Sequence, residues 1–343
     1  MPKKSARQRS SWKTHQRDHK VKRKTKLALT VLGILIGILL LAQLVNFIKV
    51  LAEPYSLLKT DKKYTWDRNF NVNFLVGTKN ISLVTYKPEE KQILVLKIPD
   101  ETYIDLSDDF GKWQLRSIYE LGEGSEIGGE ALLKRSLSYF LGLPIDGYSS
   151  ENLSDLYRKN FFSGITDLPN LKTDFTPWEL LHLKLSFLKV RFDKIKEINL
   201  EDLIVLDKQK LADGTDVFIA DPIRLDSIMQ EFSDTKIFEE HASVAIFNAT
   251  NRPNLAQKVK RMITNLGGNV IVTQNAPWSV AKSYIDPGST GVEGEDLKTK
   301  KRLEQIFDLG CSKDPNCAKI PKEDLGLASQ RSQIIVVLGE DFP

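Results

Sequence analysis

The stretch that decides the fold is Val72–Pro99, VNFLVGTKNISLVTYKPEEKQILVLKIP. It holds three β-branched and apolar runs, Val72–Gly77, Ile81–Tyr86 and Gln92–Pro99, the last two joined by the turn-like Lys-Pro-Glu-Glu-Lys. This spacing predicts adjacent strands of one sheet. The runs lack the polar alternate positions of a sheet with one wet face, so both faces should be covered by helices.

Candidate covering helices follow directly. From Ser125 to Leu141 the apolar residues Ile127, Leu133, Leu137, Phe140 and Leu141 recur on one face, and Gly142 and Pro144 supply a stop. A second helix opens at Thr176-Pro-Trp-Glu179, a capping box with proline at the first helical position. Its run WELLHLKLSFLKV is apolar around most of its circumference, which fits a buried core helix or one lining a lipid-chain groove. On the second reading Trp178, Leu181, Leu185 and Leu188 face the core, and Leu180, Leu183 and Phe187 line the groove. Lys184, Lys189, Arg191, Lys194 and Lys196 gather towards its end, where they suit the helix dipole and could meet a phosphate.

Residues 71–231 thus read as one α/β domain, and the polar stretch 232–243 as a linker. Within 244–343, Val244–Phe247, Val270–Val272 and Ile334–Leu338 read as strands. Leu255, Val259, Met262, Ile263 and Leu266 form one helical face closed by Gly267-Gly268, and a further helix is expected over Leu297–Leu309. Strand, helix and strand at this spacing make a small second α/β domain with a right-handed crossover.

Upstream of the sheet, residues 49–70 read as a stalk. Leu27–Ile48, LALTVLGILIGILLLAQLVNFI, has no ionisable side chain, and its 22 residues reach about 33 Å as a helix, enough to span a bilayer core of about 30 Å. Residues 1–26 carry 11 Lys or Arg against the single acid Asp18 and so stay on the cytoplasmic side. The expectation is a single-pass protein of the cell membrane, N-terminus in the cytoplasm and the remaining domains outside. A cleaved signal peptide would have a shorter apolar run and a small-residue cleavage site.

The whole chain is formally +4, but removing the basic tail from 49 bases and 45 acids leaves 38 bases and 44 acids. This net acidity argues against a nucleic-acid partner. The two cysteines, Cys311 and Cys317, flank the turn-rich Ser-Lys-Asp-Pro-Asn on the exported side, where a small disulfide loop or two reduced thiols both fit. No metal site is spelled by the exported histidines His182 and His241, which lie far apart in sequence.

Two segments carry a family resemblance. VAIFNATNRPNLAQKVKRMITNLGGNVIV (244–272) with the terminal IIVVLGEDF (334–342) resembles the C-terminal domain of LytR-type cell-wall proteins. Upstream, NFLVG, ISLVTYKPEEKQILVLKIPDETYI, GKWQLRSIYELG and GGEALLKRSLSYFLGLPIDGY follow in an order that resembles the core of a LytR-CpsA-Psr domain. The resemblance implies an outward-facing phosphotransferase of cell-envelope biogenesis, moving polyprenyl-pyrophosphate-linked glycopolymer onto peptidoglycan with Mg²⁺ or Mn²⁺. In that family arginine forks hold the pyrophosphate while acids hold the metal.

Several of those positions differ here. Gly77 is followed by Thr78-Lys79-Asn80 and the next strand at once, and Ile98-Pro99 continues as Asp100-Glu101-Thr102, an acid where the family has arginine. The candidate phosphate-binding residues are Lys112, which matches the lysine of the family's Gly-Lys loop, Arg116 four residues on, and Lys189 and Arg191. Two functions therefore stand side by side: an altered glycopolymer transferase, and a non-catalytic descendant that binds wall polymer, lipid or a protein.

Overall fold

The computed structural model describes residues 30–43, 64–107, 110–150, 172–288, 297–307 and 319–342. The chain divides into two compact units, Met1–Glu53 and Pro54–Pro343. In the first, residues 30–43 form helix α1, exposed along its length, inside the apolar stretch 27–48. Among the described residues no helix is long and apolar enough to cross a membrane.

The second unit is built on the sheet expected from Val72–Pro99. Strands β1 (Val72–Val76), β2 (Ser82–Lys87) and β3 (Gln92–Lys97) pair antiparallel in sequence, with β6 (Gly147–Ser149) parallel to β1 and β7 (Ile195–Asn199) parallel to β3. The order is β6-β1-β2-β3-β7. Every residue of β1 and β2 is buried because both faces are covered. On one face Leu75, Leu83, Leu94 and Leu96 pack with helices α2 (Leu115–Glu123) and α3 (Gly129–Leu141). On the other, Phe74, Val84, Tyr86 and Val95 meet Phe175 and helix α4 (Pro177–Phe187). Two short hairpins, β4 (Tyr103–Asp105) with β5 (Lys112–Gln114) and β8 (Leu206–Lys210) with β9 (Asp216–Ala220), lie outside this sheet. Helix α5 (Pro222–Met229) adds Leu225 and Met229 to the α2/α3 layer. Helix α2 falls in the segment GKWQLRSIYELG, for which the sequence pattern predicted no helix.

Helix α4 has the capping box read from the sequence: Thr176 Oγ1 accepts from Glu179 N at 3.2 Å, and Glu179 Oε2 accepts from Thr176 N at 2.8 Å. Its faces, however, are the reverse of the groove expectation. Glu179 also accepts from Trp66 N at 2.7 Å, which turns that side of the helix inward. Leu183 and Phe187, one and two steps of four further on, are therefore buried, and Leu180 packs against the same cluster. Phe187 stacks on Phe74 and meets Tyr86 edge-on. Trp178, Leu185 and Leu188, expected in the core, are 52%, 38% and 61% exposed.

The C-terminal sheet runs β11 (Asn269–Asn275), β10 (Ser243–Asn248), β13 (Ile334–Leu338), β12 (Tyr284–Pro287); β10 is parallel to both neighbours and β12 antiparallel to β13. Its core is closed by α7 (Leu255–Asn265), through the apolar face expected from sequence, and by α8 (Lys298–Phe307), through Leu303 and Phe307. Strand β12 and helix α9 (Gly326–Arg331) had no sequence signal. Cys311 and Cys317 lie outside the described residues.

Two segments read as connectors belong to the folded body. Residues 64–70 are not stalk: Trp66 is buried beneath the first sheet with α4, and Phe70 in the core of the C-terminal domain. Within 232–243, helix α6 (Thr235–Glu240) sends Ile237 into that same core. Both were read as linkers because they are polar on average, although single large residues anchor them.

The reversed faces of α4 have a measurable outcome. Phe187→Ala should lower stability by about 3–5 kcal/mol in urea melts, whereas exposed Leu188→Ala should stay within about 0.5 kcal/mol. Equal, small losses at both positions would restore the groove assignment.

Candidate functional site

At the end of the first sheet the chain turns sharply between β1 and β2. Gly77 has φ +93° and donates its N–H to Ser149 O at 2.9 Å; a Cβ there would meet Lys79 O at 2.9 Å. Asp100 completes the turn, its Oδ1 accepting from Asn80 N at 3.1 Å. Its backbone oxygen accepts from Arg116 N at 3.1 Å, so the first turn of α2 starts beside the position where the resembling family has arginine. Arg116 and Lys112 are both exposed there.

The four candidate phosphate-binding residues do not form one site. The elements bearing Lys112 and Arg116 pack through Ile104, Leu115 and Ile118 on one face of the sheet; Lys189 and Arg191 follow α4, whose core lies on the other. Lys189 is exposed, and Arg191 pairs with Asp193 at the surface. Among the described residues no group of three His, Cys, Asp or Glu side chains could hold a metal ion.

A buried charge network lies where the two sheets' domains meet. Arg302 of α8, fully buried, places Nη2 at 2.9 and 3.0 Å from the two carboxylate oxygens of Asp146 and 2.9 Å from Asn71 O. Its Nη1 donates to Tyr64 Oη at 3.0 Å, and Tyr64 donates to Asp146 in turn. Asp146 also accepts from Asn73 N of β1 at 2.8 Å. Burial works against the guanidinium charge, but Asp146 and Tyr64 outweigh it and raise the Arg302 pKa above its ordinary value. Burial raises the Tyr64 phenol well above its usual value and also raises the Asp234 carboxyl, which accepts from Asn71 N at 2.6 Å.

A second contact reinforces the seam. Arg261 of α7 pairs with Asp226 at 2.6 Å and donates to Tyr139 O at 2.9 Å. Gly142 ends α3 at φ +60°, and a Cβ there would lie 2.8 Å from the Arg261 side chain. Beside this seam is a cavity of about 360 Å³ whose lining includes Tyr64, Lys134, Arg135, Asp146, Met262 and Phe307. Lys134 is committed to an ion pair with fully buried Asp174, which also accepts from Tyr148 N at 2.7 Å. Glu130, one helical turn before Lys134, is 2% exposed, and its Oε1 has no hydrogen-bond partner among the described residues. Burial raises its pKa, with Lys134 opposing the shift.

Sequence reasoning missed Arg302, Tyr64 and this use of Asp146. One signal was present: Thr299, Arg302, Leu303 and Phe307 recur at helical spacing, which puts a charged residue within the buried stripe of α8.

Residues 241–342 match the family described as LytR cell envelope-related transcriptional attenuator. No curated protein sequence matches the chain. Among solved structures the chain is similar to B. subtilis TagV, at 15% identity over 48% of this chain and 95% of that one, TM-score 0.37. It is similar to the LytR-CPS2A-psr family protein YwtF (TagT) with bound octaprenyl pyrophosphate lipid, at 15% over 50% and 94%, TM-score 0.37. A transcriptional regulator from Enterococcus faecalis gives 15% over 48% and 85%, TM-score 0.37. The family match covers the C-terminal domain, and the solved structures are similar over about half of the chain.

Arg302→Ala should cost about 3–5 kcal/mol, because Asp146 is left buried and uncompensated, while Arg302→Met with Asp146→Asn should recover much of that loss. Urea midpoints of the two variants check this; a single-variant loss below about 1 kcal/mol would remove the pair from the interface energetics. Glu130 supplies a pH test. Its folded pKa is raised, so above the ordinary carboxylate range the native state holds more protons than the unfolded chain, and stability falls as pH rises through the raised value. Glu130→Gln should abolish that fall, so its stability advantage over wild type should grow from pH 4 to pH 8.

Proposed function

We propose that this chain is a membrane-anchored, outward-facing protein of cell-envelope biogenesis that binds a polyprenyl-pyrophosphate-linked glycan of the cell wall. The stretch 27–48 supplies the single span, with the basic tail on the cytoplasmic side. One observation carries the reading. Asp146 belongs to the Gly-Leu-Pro-Ile-Asp segment of the LytR-CpsA-Psr resemblance, and its buried partner Arg302 belongs to the segment that matches the LytR-type family. The two likenesses thus meet in one buried ion pair. The ligand agrees with the octaprenyl pyrophosphate held by the similar YwtF.

Binding is preferred to transfer because of the sheet end. Gly77–Asn80 closes the connection in four residues, and the Asp100 carboxylate is engaged by Asn80 N–H. Arg116 and Lys112 are exposed cations there that could meet a pyrophosphate. Transfer remains the second reading, favoured by Arg116 emerging beside Asp100, where an arginine fork could still reach the leaving phosphate.

The test is a titration of the purified protein with a polyprenyl pyrophosphate, with and without Mg²⁺ or Mn²⁺, following binding and phosphate release together. The expected result is binding that weakens about tenfold on Arg116→Ala, the scale of one charge-assisted contact, without turnover. Turnover abolished by Arg116→Ala would establish the transferase reading, and no binding under any condition would remove both.

A further inference from the structure

Helix α4 presents its second apolar face to solvent. Trp178, Leu185 and Leu188 share a stripe at spacings of seven and three, and Phe192, just beyond the helix, is 90% exposed. The opposite stripe is committed to the sheet through Glu179, Leu183 and Phe187, so α4 cannot bury both. Such a run of exposed large apolar side chains marks an interaction surface. The charges around it identify the partner. Lys189, Arg191 and Lys194 are exposed beside this stripe, against the single exposed acid Asp193 between Trp178 and Lys194. Asp193 is paired with Arg191, whereas Lys189 and Lys194 have no ion pair with a described acid. The surrounding exported chain is net acidic, which makes this basic, apolar stripe a local exception.

We propose that this face of α4 docks on an anionic phospholipid surface, with Trp178, Leu185, Leu188 and Phe192 entering the interface and Lys189 and Lys194 meeting headgroup phosphates. Aromatic and aliphatic side chains on one stripe with lysines at its margin have the composition of an interfacial helix, and a Trp ring sits well at headgroup depth. The inference uses the anchored reading only for the compartment. Fifteen residues, 49–63, separate the end of the span at Ile48 from Tyr64, up to about 50 Å of extended chain, so the sequence imposes no short tether on docking.

The experiment uses the full chain in vesicles whose acyl chains carry bromine, a short-range quencher of tryptophan. The Trp178 contribution is obtained by difference from Trp178→Phe. In phosphatidylglycerol vesicles that contribution should fall at least about twofold, and the quenching should weaken in phosphatidylcholine vesicles or in high salt. Lys189→Glu with Lys194→Glu should remove it, as should Leu188→Asp with Phe192→Asp; all four side chains are exposed, so the fold should hold. Unquenched Trp178 emission in phosphatidylglycerol vesicles would overturn the proposal. So would cross-linking of the chain into a dimer through this face. Flotation of the Leu188→Asp, Phe192→Asp variant with the vesicles reads the N-terminal anchor separately, so failure of docking and failure of anchoring are distinguishable.

Discussion

A guanidinium withdrawn from water loses hydration worth several kcal/mol, and it stays charged only if the surroundings return comparable interactions. Arg302 meets that condition with a carboxylate, a phenol and a main-chain oxygen drawn from Asp146, Tyr64 and Asn71. All three partners lie outside the C-terminal domain that bears Arg302, so that domain cannot satisfy the guanidinium alone. The pair therefore fixes how the two sheets are joined, and with it the residue stretch 64–70 that runs through the seam. Hydrophobic burial holds each domain together, but it is non-directional. The ion pair supplies the direction.

The first sheet shows a related constraint. With both faces of β1 and β2 buried, every neighbouring helix must spend one face on the sheet, and the capping box with the Glu179–Trp66 contact sets which face α4 spends. Its remaining apolar residues are then surplus to folding. An exposed Trp178 and Phe192 cost nothing to the core and are available to a partner, which is why a helix that is apolar nearly all round carries information about the surroundings as well as about the fold.

At the sheet end, the tight Gly77–Asn80 connection and the engaged Asp100 leave Lys112 and Arg116 as surface cations on one side, while Lys189 and Arg191 follow a helix on the other. A pyrophosphate can meet the first pair or the second, but no described arrangement lets one small anion meet all four. This separation follows from the sheet itself, which stands between the two helix layers.

The sequence by itself determined the three central strands, the double covering of their sheet, the capping box of α4, and the strands and α7 face of the C-terminal domain. These are local signals: periodicity, turn residues and caps act over a few neighbouring residues and can be read without knowing what they pack against. Only the tertiary structure decided which side of α4 faces inward, that Trp66 and Phe70 make 64–70 part of the folded body, and that Arg302 meets Asp146 across 156 positions. A helix apolar on two sides has no preferred face until a partner is present. An arginine among lysines, as in Lys-Thr-Lys-Lys-Arg302, reads as a solvated charge until a buried carboxylate stands opposite it, because burial depends on contacts that sequence separation does not encode.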